Sequence, residues 1–144
     1  AALITGAIAF QRRYPSGLNL TPSLPGTVFL IHKGEPVSRG DLVAFRWAGG
    51  GPYPAGATFV KRLVGLPGDT VDRTGRTVFV NASPFGVLKP TARTGEALAP
   101  GPTGTLPADR FHVYAPHPDS LDSRYALTGW ISRAQIIGKA HALF

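Results

Sequence analysis

Short runs of apolar and β-branched residues, separated by turns rich in Gly and Pro, make up most of the chain. Thr27-Val28-Phe29-Leu30-Ile31-His32 reads as a strand, closed by Lys33-Gly34-Glu35-Pro36. Val37-Ser38-Arg39-Gly40-Asp41 turns the chain into a second strand, Leu42 to Trp47. A Gly/Pro loop over 48–57 leads to a third strand at 58–65. Pro67-Gly68-Asp69 is a turn, and 70–72 with 77–81 suggest a hairpin about Thr74-Gly75-Arg76. Residues 82–107 are rich in Pro, Gly, Thr and Ala and show no periodicity. Arg110 to Tyr114 is another strand. The segment 131–140 predicts one turn of helix and then a final strand. The fold class is therefore mainly β, with at most one or two short helices.

A length of 144 residues fits one domain with a sizeable core. The 18 Gly and 14 Pro are spread among the apolar runs rather than gathered in a tail, which argues for folded structure. The expected organisation is an N-terminal segment, 1–18, followed by a single domain, 19–144, with an irregular Pro/Gly-rich stretch at 82–107. No cysteine is present, so disulfides, thiolate catalysis and cysteine-ligated zinc are excluded. His32, His112, His117 and His141 lack zinc-binding spacing, and no phosphate loop or nucleotide motif stands out. Neither a metal nor a cofactor is expected.

The formal charge is +7, from 15 Lys and Arg against 8 Asp and Glu. Such a surface favours anionic membranes or nucleic acid. No nucleic-acid motif supports the second partner, so attraction to a bilayer is the version retained. The absence of methionine points to a processed or truncated chain. Ala1 to Phe10 is mostly apolar but short of the roughly 20 residues that span a bilayer. It reads either as the remnant of a membrane anchor or as a first strand or helix. Arg12-Arg13 just after it sits awkwardly with an exported domain, because positive residues prefer the cytoplasmic side.

Candidate chemistry centres on Lys61, in Thr58-Phe59-Val60-Lys61-Arg62-Leu63-Val64-Gly65. On a strand it shares a face with Phe59 and Leu63. A buried ammonium is costly, and desolvation favours the neutral amine, which can act as a general base. The competing reading is an edge lysine, or one whose head reaches water. Arg62 has equally apolar neighbours but cannot give up its proton. Upstream, Thr21-Pro22-Ser23-Leu24-Pro25-Gly26 supplies a serine for a Ser-Lys dyad, with two prolines restricting its backbone. A third polar element is Pro118-Asp119-Ser120-Leu121-Asp122-Ser123-Arg124-Tyr125. Its residues suit either an orienting contact for the lysine or a turn with an ion pair between Asp122 and Arg124.

Taken in order, these blocks, together with Arg39-Gly40-Asp41-Leu42-Val43, Leu66-Pro67-Gly68-Asp69 and Ile137-Gly138-Lys139-Ala140, resemble the type I signal peptidase family. Within it, Ser23-Leu24-Pro25-Gly26 and the 118–125 segment are closest to the TraF-type conjugative-transfer peptidases. Ordinary leader peptidases carry Ser-Met-x-Pro-Thr at the nucleophile and a Gly-Asp-Asn-x-x-Asn opening in the last loop. The resemblance implies coiled antiparallel β-sheets and a membrane anchor preceding a catalytic domain on the periplasmic side of the bacterial inner membrane. It implies Ser23 as nucleophile, Lys61 as general base and Asp122 as a third member of the site. Ser120 matches a serine that positions the lysine. Thr21 occupies the position of an oxyanion donor two residues before the nucleophile. A fully charged Asp122 beside Lys61 would oppose the neutral amine, so an indirect contact, or a tie to Arg124, is expected. The implied activity is a serine endopeptidase that trims, or trims and cyclises, a conjugative pilin precursor. The alternatives are a general signal peptidase serving many exported proteins and a non-catalytic pilin-binding scaffold.

Overall fold

The computed structural model describes residues 29–142 in full, and the backbone alone for 27–28 and for strand residues 4–5, 8–9, 12–13 and 18–23. Whether 1–18 is an anchor remnant therefore falls outside the described residues. The strands in chain order are β1 (Ile4–Thr5), β2 (Ile8–Ala9), β3 (Arg12–Arg13), β4 (Leu18–Ser23), β5 (Thr27–Lys33), β6 (Leu42–Arg46) and β7 (Thr58–Gly65). They continue with β8 (Thr70–Thr74), β9 (Thr77–Val80), β10 (Ser83–Val87), β11 (Gly104–Thr105), β12 (Arg110–Tyr114) and β13 (Ile131–Ser132). A single turn of 3-10 helix, Arg133–Gln135, precedes β14 (Ile136–Ala142) and is the only helical element among the described residues. The chain forms two compact units, 1–62 with 134–144, and 63–133.

In the first unit, pairings run from β1 to β4, β5, β14, β6, β7 and β2, and β2 pairs again with β1. The pairings thus close on themselves, with β3 added outside β4. Among the described pairings of this unit, only β1 with β4 is parallel. Alternation along β6 and β7 divides their side chains between two faces. Ala44, Leu42 and Val60 pack with Phe29, Ile31, Ala140 and Ile137. Val43 and Phe45 lie on the other face, opposite Lys61 and Phe59 in register.

Two turns in the chain share one design. In Ser38-Arg39-Gly40-Asp41, the Asp41 Oδ2 accepts the Ser38 N–H at 2.8 Å, and the Asp41 N–H bonds back to Ser38 O. In Leu66-Pro67-Gly68-Asp69, the Asp69 Oδ2 accepts the Leu66 N–H at 2.7 Å, and the Asp69 N–H bonds back to Leu66 O. Gly40 and Gly68 both have φ of +90°, which a side chain resists. Both Gly-Asp pairs are thus explained by turn geometry. Arg62 donates to the Gly40 carbonyl at 2.7 Å, so the arginine beside Lys61 anchors the first of these turns to β7.

Glu35 Oε2 lies 2.8 Å from His32 Nδ1 and 3.2 Å from His141 Nε2, linking the end of β5 to β14. The hydrogen bond from His141, more than the neighbouring charges, holds the Glu35 carboxyl below its ordinary pKa.

In the second unit, a four-stranded antiparallel sheet has the order β10-β9-β8-β11, and β12 pairs with β13. Its core comprises Val64, Val71, Val78, Val80, Leu88, Leu106 and Tyr125. Only glycine fits at Gly65, where a Cβ would lie 2.7 Å from His112 Cβ and 2.9 Å from Leu106 Cδ1. The 82–107 stretch supplies β10 and β11 near its two ends. Between them it lies along the 122–126 segment, through Lys89 N–H to Tyr125 Oη, Gly101 N–H to Arg124 O and Ala126 N–H to Ala99 O.

Candidate active site

Ser23 is the last residue of β4, its backbone in register with Thr27 of β5 and with Ile4 of β1. Thr21 pairs with Phe29 two positions earlier. The side chains of both lie outside the described residues.

Lys61 is buried, with 3% of its surface exposed. Across the β6–β7 ladder it faces Val43, and its Nζ lies over the Phe59 ring, 5.9 Å from the centroid. Phe59 packs against Phe45 at 5.8 Å and stacks on Trp47 at 4.6 Å. An ammonium seated on an aromatic face retains part of the electrostatic stabilisation it loses on leaving water. The strand assignment that put Lys61 beside Phe59 agrees with this arrangement, and of the two readings of the lysine, edge or interior, the interior one applies.

Asp122 and Arg124 meet in the second unit. Asp122 is fully buried and Arg124 is 3% exposed. The guanidinium holds the carboxylate at two points, Nε to Oδ1 at 2.8 Å and Nη2 to Oδ2 at 3.0 Å. Such a fork fixes orientation as well as charge. The backbone N–H of Arg124 also donates to Oδ1, and that of Ala115 to Oδ2. Arg124 Nη1 donates to Val87 O at 3.2 Å and Nη2 to Ala115 O at 3.3 Å. Its guanidinium carbon lies 5.3 Å from the Tyr114 ring centroid and 5.6 Å from that of Tyr125. Burial alone would lower the guanidinium pKa, but the hydrogen bond and charge of Asp122 outweigh it and raise it. Asp122 is thus tied to Arg124, the second of the two contacts expected for it.

Ser120 is half-buried in the same loop, its N–H bonded to His117 O at 3.1 Å. Ser123 was not singled out by the sequence, yet it acts as a surrogate strand partner. Its Oγ accepts the Val113 N–H at 2.9 Å, and its own N–H donates to Val113 O at 3.0 Å. Alternation of Ser and Asp in the segment was the available signal, since a short hydroxyl can close a backbone pairing. Gly86 has φ of +94° and lies against Arg124, where a Cβ would come within 2.9 Å of Cδ. His112 is also fully buried and was set aside in the sequence. Neither of its ring nitrogens has a hydrogen-bond partner among the described residues.

A family model described as signal peptidase, peptidase S26, matches residues 1–144. The chain belongs to the signal peptidase S26 family. It is 32% identical over 150 residues to a signal peptidase I of Leptolyngbya laminosa, an alignment covering 93% of this chain and 68% of the relative. It is 28% identical over 159 residues to a signal peptidase I of Bacillus licheniformis, covering 99% and 81%. A crystal structure of a signal peptidase I from Enterococcus faecalis V583 aligns with 73% of this chain and 97% of its own, at a TM-score of 0.48 and 25% identity. The protein is accordingly a type I signal peptidase, a serine endopeptidase of a membrane-associated family. Among the described residues, no helix is long and apolar enough to cross a membrane.

Proposed function

We propose that Ser23 and Lys61 form the catalytic dyad of this peptidase and that its substrate is a conjugative pilin precursor, as in the TraF-type branch. Burial of Lys61 on an aromatic and aliphatic face is the observation that carries the first part. Removal from bulk water is what fits an amine to serve as a base. Ser23 Oγ attacks the scissile carbonyl while Lys61 Nζ takes its proton. Lys61 then returns that proton to the leaving amine, leaving an acyl group on Ser23. Water resolves the acyl-enzyme to a linear product, and the pilin's own terminal amine resolves it to a ring. Thr21 and the Ser23 N–H supply the oxyanion donors. Ser120 matches the serine that positions the lysine in the family. Asp122, held by Arg124, shapes the loop that carries Ser120.

The pilin reading rests on Ser23-Leu24-Pro25-Gly26 and on the form of the 118–125 loop. The enzyme would act on the periplasmic side of the inner membrane, held there by an N-terminal anchor. A second reading, a general signal peptidase, is favoured by the names of the relatives in Leptolyngbya and Bacillus. Intact masses of a pilin precursor and of ordinary preproteins, each mixed with the protein and with its Ser23→Ala variant, separate the two. Trimming of the pilin alone, only by the parent protein, supports the pilin reading, and loss of one further water shows cyclisation. Trimming of every preprotein supports the general enzyme. Equal trimming by the Ser23→Ala variant refutes the dyad.

A further inference from the structure

We infer that Tyr53, in the loop between β6 and β7, is a positioning residue for Lys61, acting through Phe59. The inference rests on Lys61 being the base. Along one face of the β6–β7 hairpin, Val43 and Phe45 lie opposite Lys61 and Phe59, and Trp47 continues the row toward the loop. Lys61 is therefore the one charged group at the end of a column of rings. Phe59 is fully buried and touches three of them. Trp47 stacks on it nearly parallel, at 14° and 4.6 Å; Tyr53 meets it edge-on, at 85° and 5.2 Å; Phe45 lies tilted at 5.8 Å. Tyr53 also stands edge-on to Trp47 at 6.0 Å.

Tyr53 is the only one of these rings supplied by the loop rather than by the ladder or its continuation. Apart from Tyr53, residues 48–57 are only Gly, Pro and Ala, yet the loop is tightly fastened. Trp47 N–H donates to Ala57 O at 2.7 Å, Gly56 N–H to Trp47 O at 2.8 Å, and Trp47 Nε1 to Gly50 O at 3.0 Å. Gly49, Gly50, Gly51 and Gly56 have positive φ, which lets the chain fold Tyr53 back over the rings. Edge-on contacts of this kind have a preferred geometry beyond the area they bury. Trp47 against one face and Tyr53 edge-on thus bracket the buried Phe59 ring. Phe59 is in turn the surface on which the Lys61 ammonium rests. Loss of the Tyr53 ring removes one of the contacts that hold Phe59 in the orientation it presents to Lys61.

The test measures kcat and KM separately on a fluorogenic peptide with alanine at both small-residue positions of its cleavage site. Tyr53→Leu, Tyr53→Phe and Lys61→Met are compared with the parent, and folding is checked by circular dichroism. Tyr53→Leu is expected to lower kcat about tenfold with KM unchanged, less than the loss a full ångström of misplacement brings. Tyr53→Phe, which keeps the ring, is expected to restore kcat. Should Tyr53→Leu fail to fold, Tyr53→Met takes its place under the same criterion. If Lys61→Met abolishes cleavage while the ringless Tyr53 variant matches the parent, the dyad stands and the positioning role falls. An effect on KM alone, or failure of Tyr53→Phe to restore kcat, also overturns it. If Lys61→Met cleaves normally, the reading of Lys61 as base fails, and the role of Tyr53 with it.

Discussion

Burial of His112 makes a quantitative demand on the acid stability of the protein. Its imidazole is fully enclosed beneath the Asp122–Arg124 pair, and desolvation lowers its pKa from 6.5 to about 4. The Asp122 charge opposes that shift and the Arg124 charge adds to it. An unfolded chain takes up a proton there near pH 6.5, whereas the folded chain resists until about pH 4. Between those values the unfolded state binds more protons, so stability falls as the pH falls, at most by about 1.4 kcal/mol per unit. At pH 4.5 the accumulated loss relative to neutral pH is about 2.5 kcal/mol. The perturbation is His112→Leu, which puts an apolar side chain of similar size in place of the imidazole and removes the titration. Urea unfolding, followed by tryptophan fluorescence at pH 7.5 and 4.5, measures the difference. Glu35 and Asp119 also have lowered pKa values, through hydrogen bonds with His141 and Lys89 respectively, and lose their contributions in acid. They do so equally in both proteins and cancel. The variant is expected to lose about 2.5 kcal/mol less than the parent between the two pH values. Equal losses in the two proteins would refute the reasoning, because they would mean that the folded protein protonates His112 as readily as the unfolded chain.

Gly138→Ala should destabilise the first unit by several kcal/mol, on the order of an overpacked core or more, because its Cβ would run into the His32 carbonyl on β5. A thermal melt showing no change would contradict that contact. Asp122→Ala leaves Arg124 buried among backbone carbonyls and the Tyr114 and Tyr125 rings but without its counter-charge; a loss of about 3–5 kcal/mol in urea unfolding is expected. Ala82→Gly should stabilise by up to about 1 kcal/mol, since Ala82 sits at φ +68° in the turn between β9 and β10; an unchanged or lowered urea midpoint would count against it.

The central strands were legible from runs of apolar and β-branched residues bounded by Gly/Pro turns. The bounds 58–65 and 110–114 were read from the sequence as they occur, and the final helical turn and strand were read in the right order. β10 was not read, and its turn explains why. Asn81 and Ala82 both take positive φ, the conformation that usually advertises itself through Asn-Gly. Here alanine occupies the glycine position. The turn is held instead by Asn81, whose Oδ1 accepts the Thr70 N–H and whose N–H donates to Thr70 O. For the site, the burial of Lys61 followed from its neighbours on one strand, a local property. The Asp122–Arg124 fork was legible as one option because its partners are two residues apart. The carbonyls of Val87 and Ala115 that Arg124 also holds come from distant parts of the chain, and no spacing announces them. Gly65 and Gly138 were visible as letters of a motif, but the atoms they make room for belong to other strands.

The placement of β14 between β5 and β6 has a consequence for the order in which the chain can fold. Residues 63–133 are contiguous, so the second unit has its whole sequence in hand once residue 133 has emerged. The first unit does not. Its strands β5 and β6 are synthesised about a hundred residues before the strand that joins them on either side. Until then each presents an unpaired edge, a template for wrong partners. The first unit therefore cannot complete its sheet until residues 136–142 are in place, whereas the second unit draws on one unbroken stretch of chain.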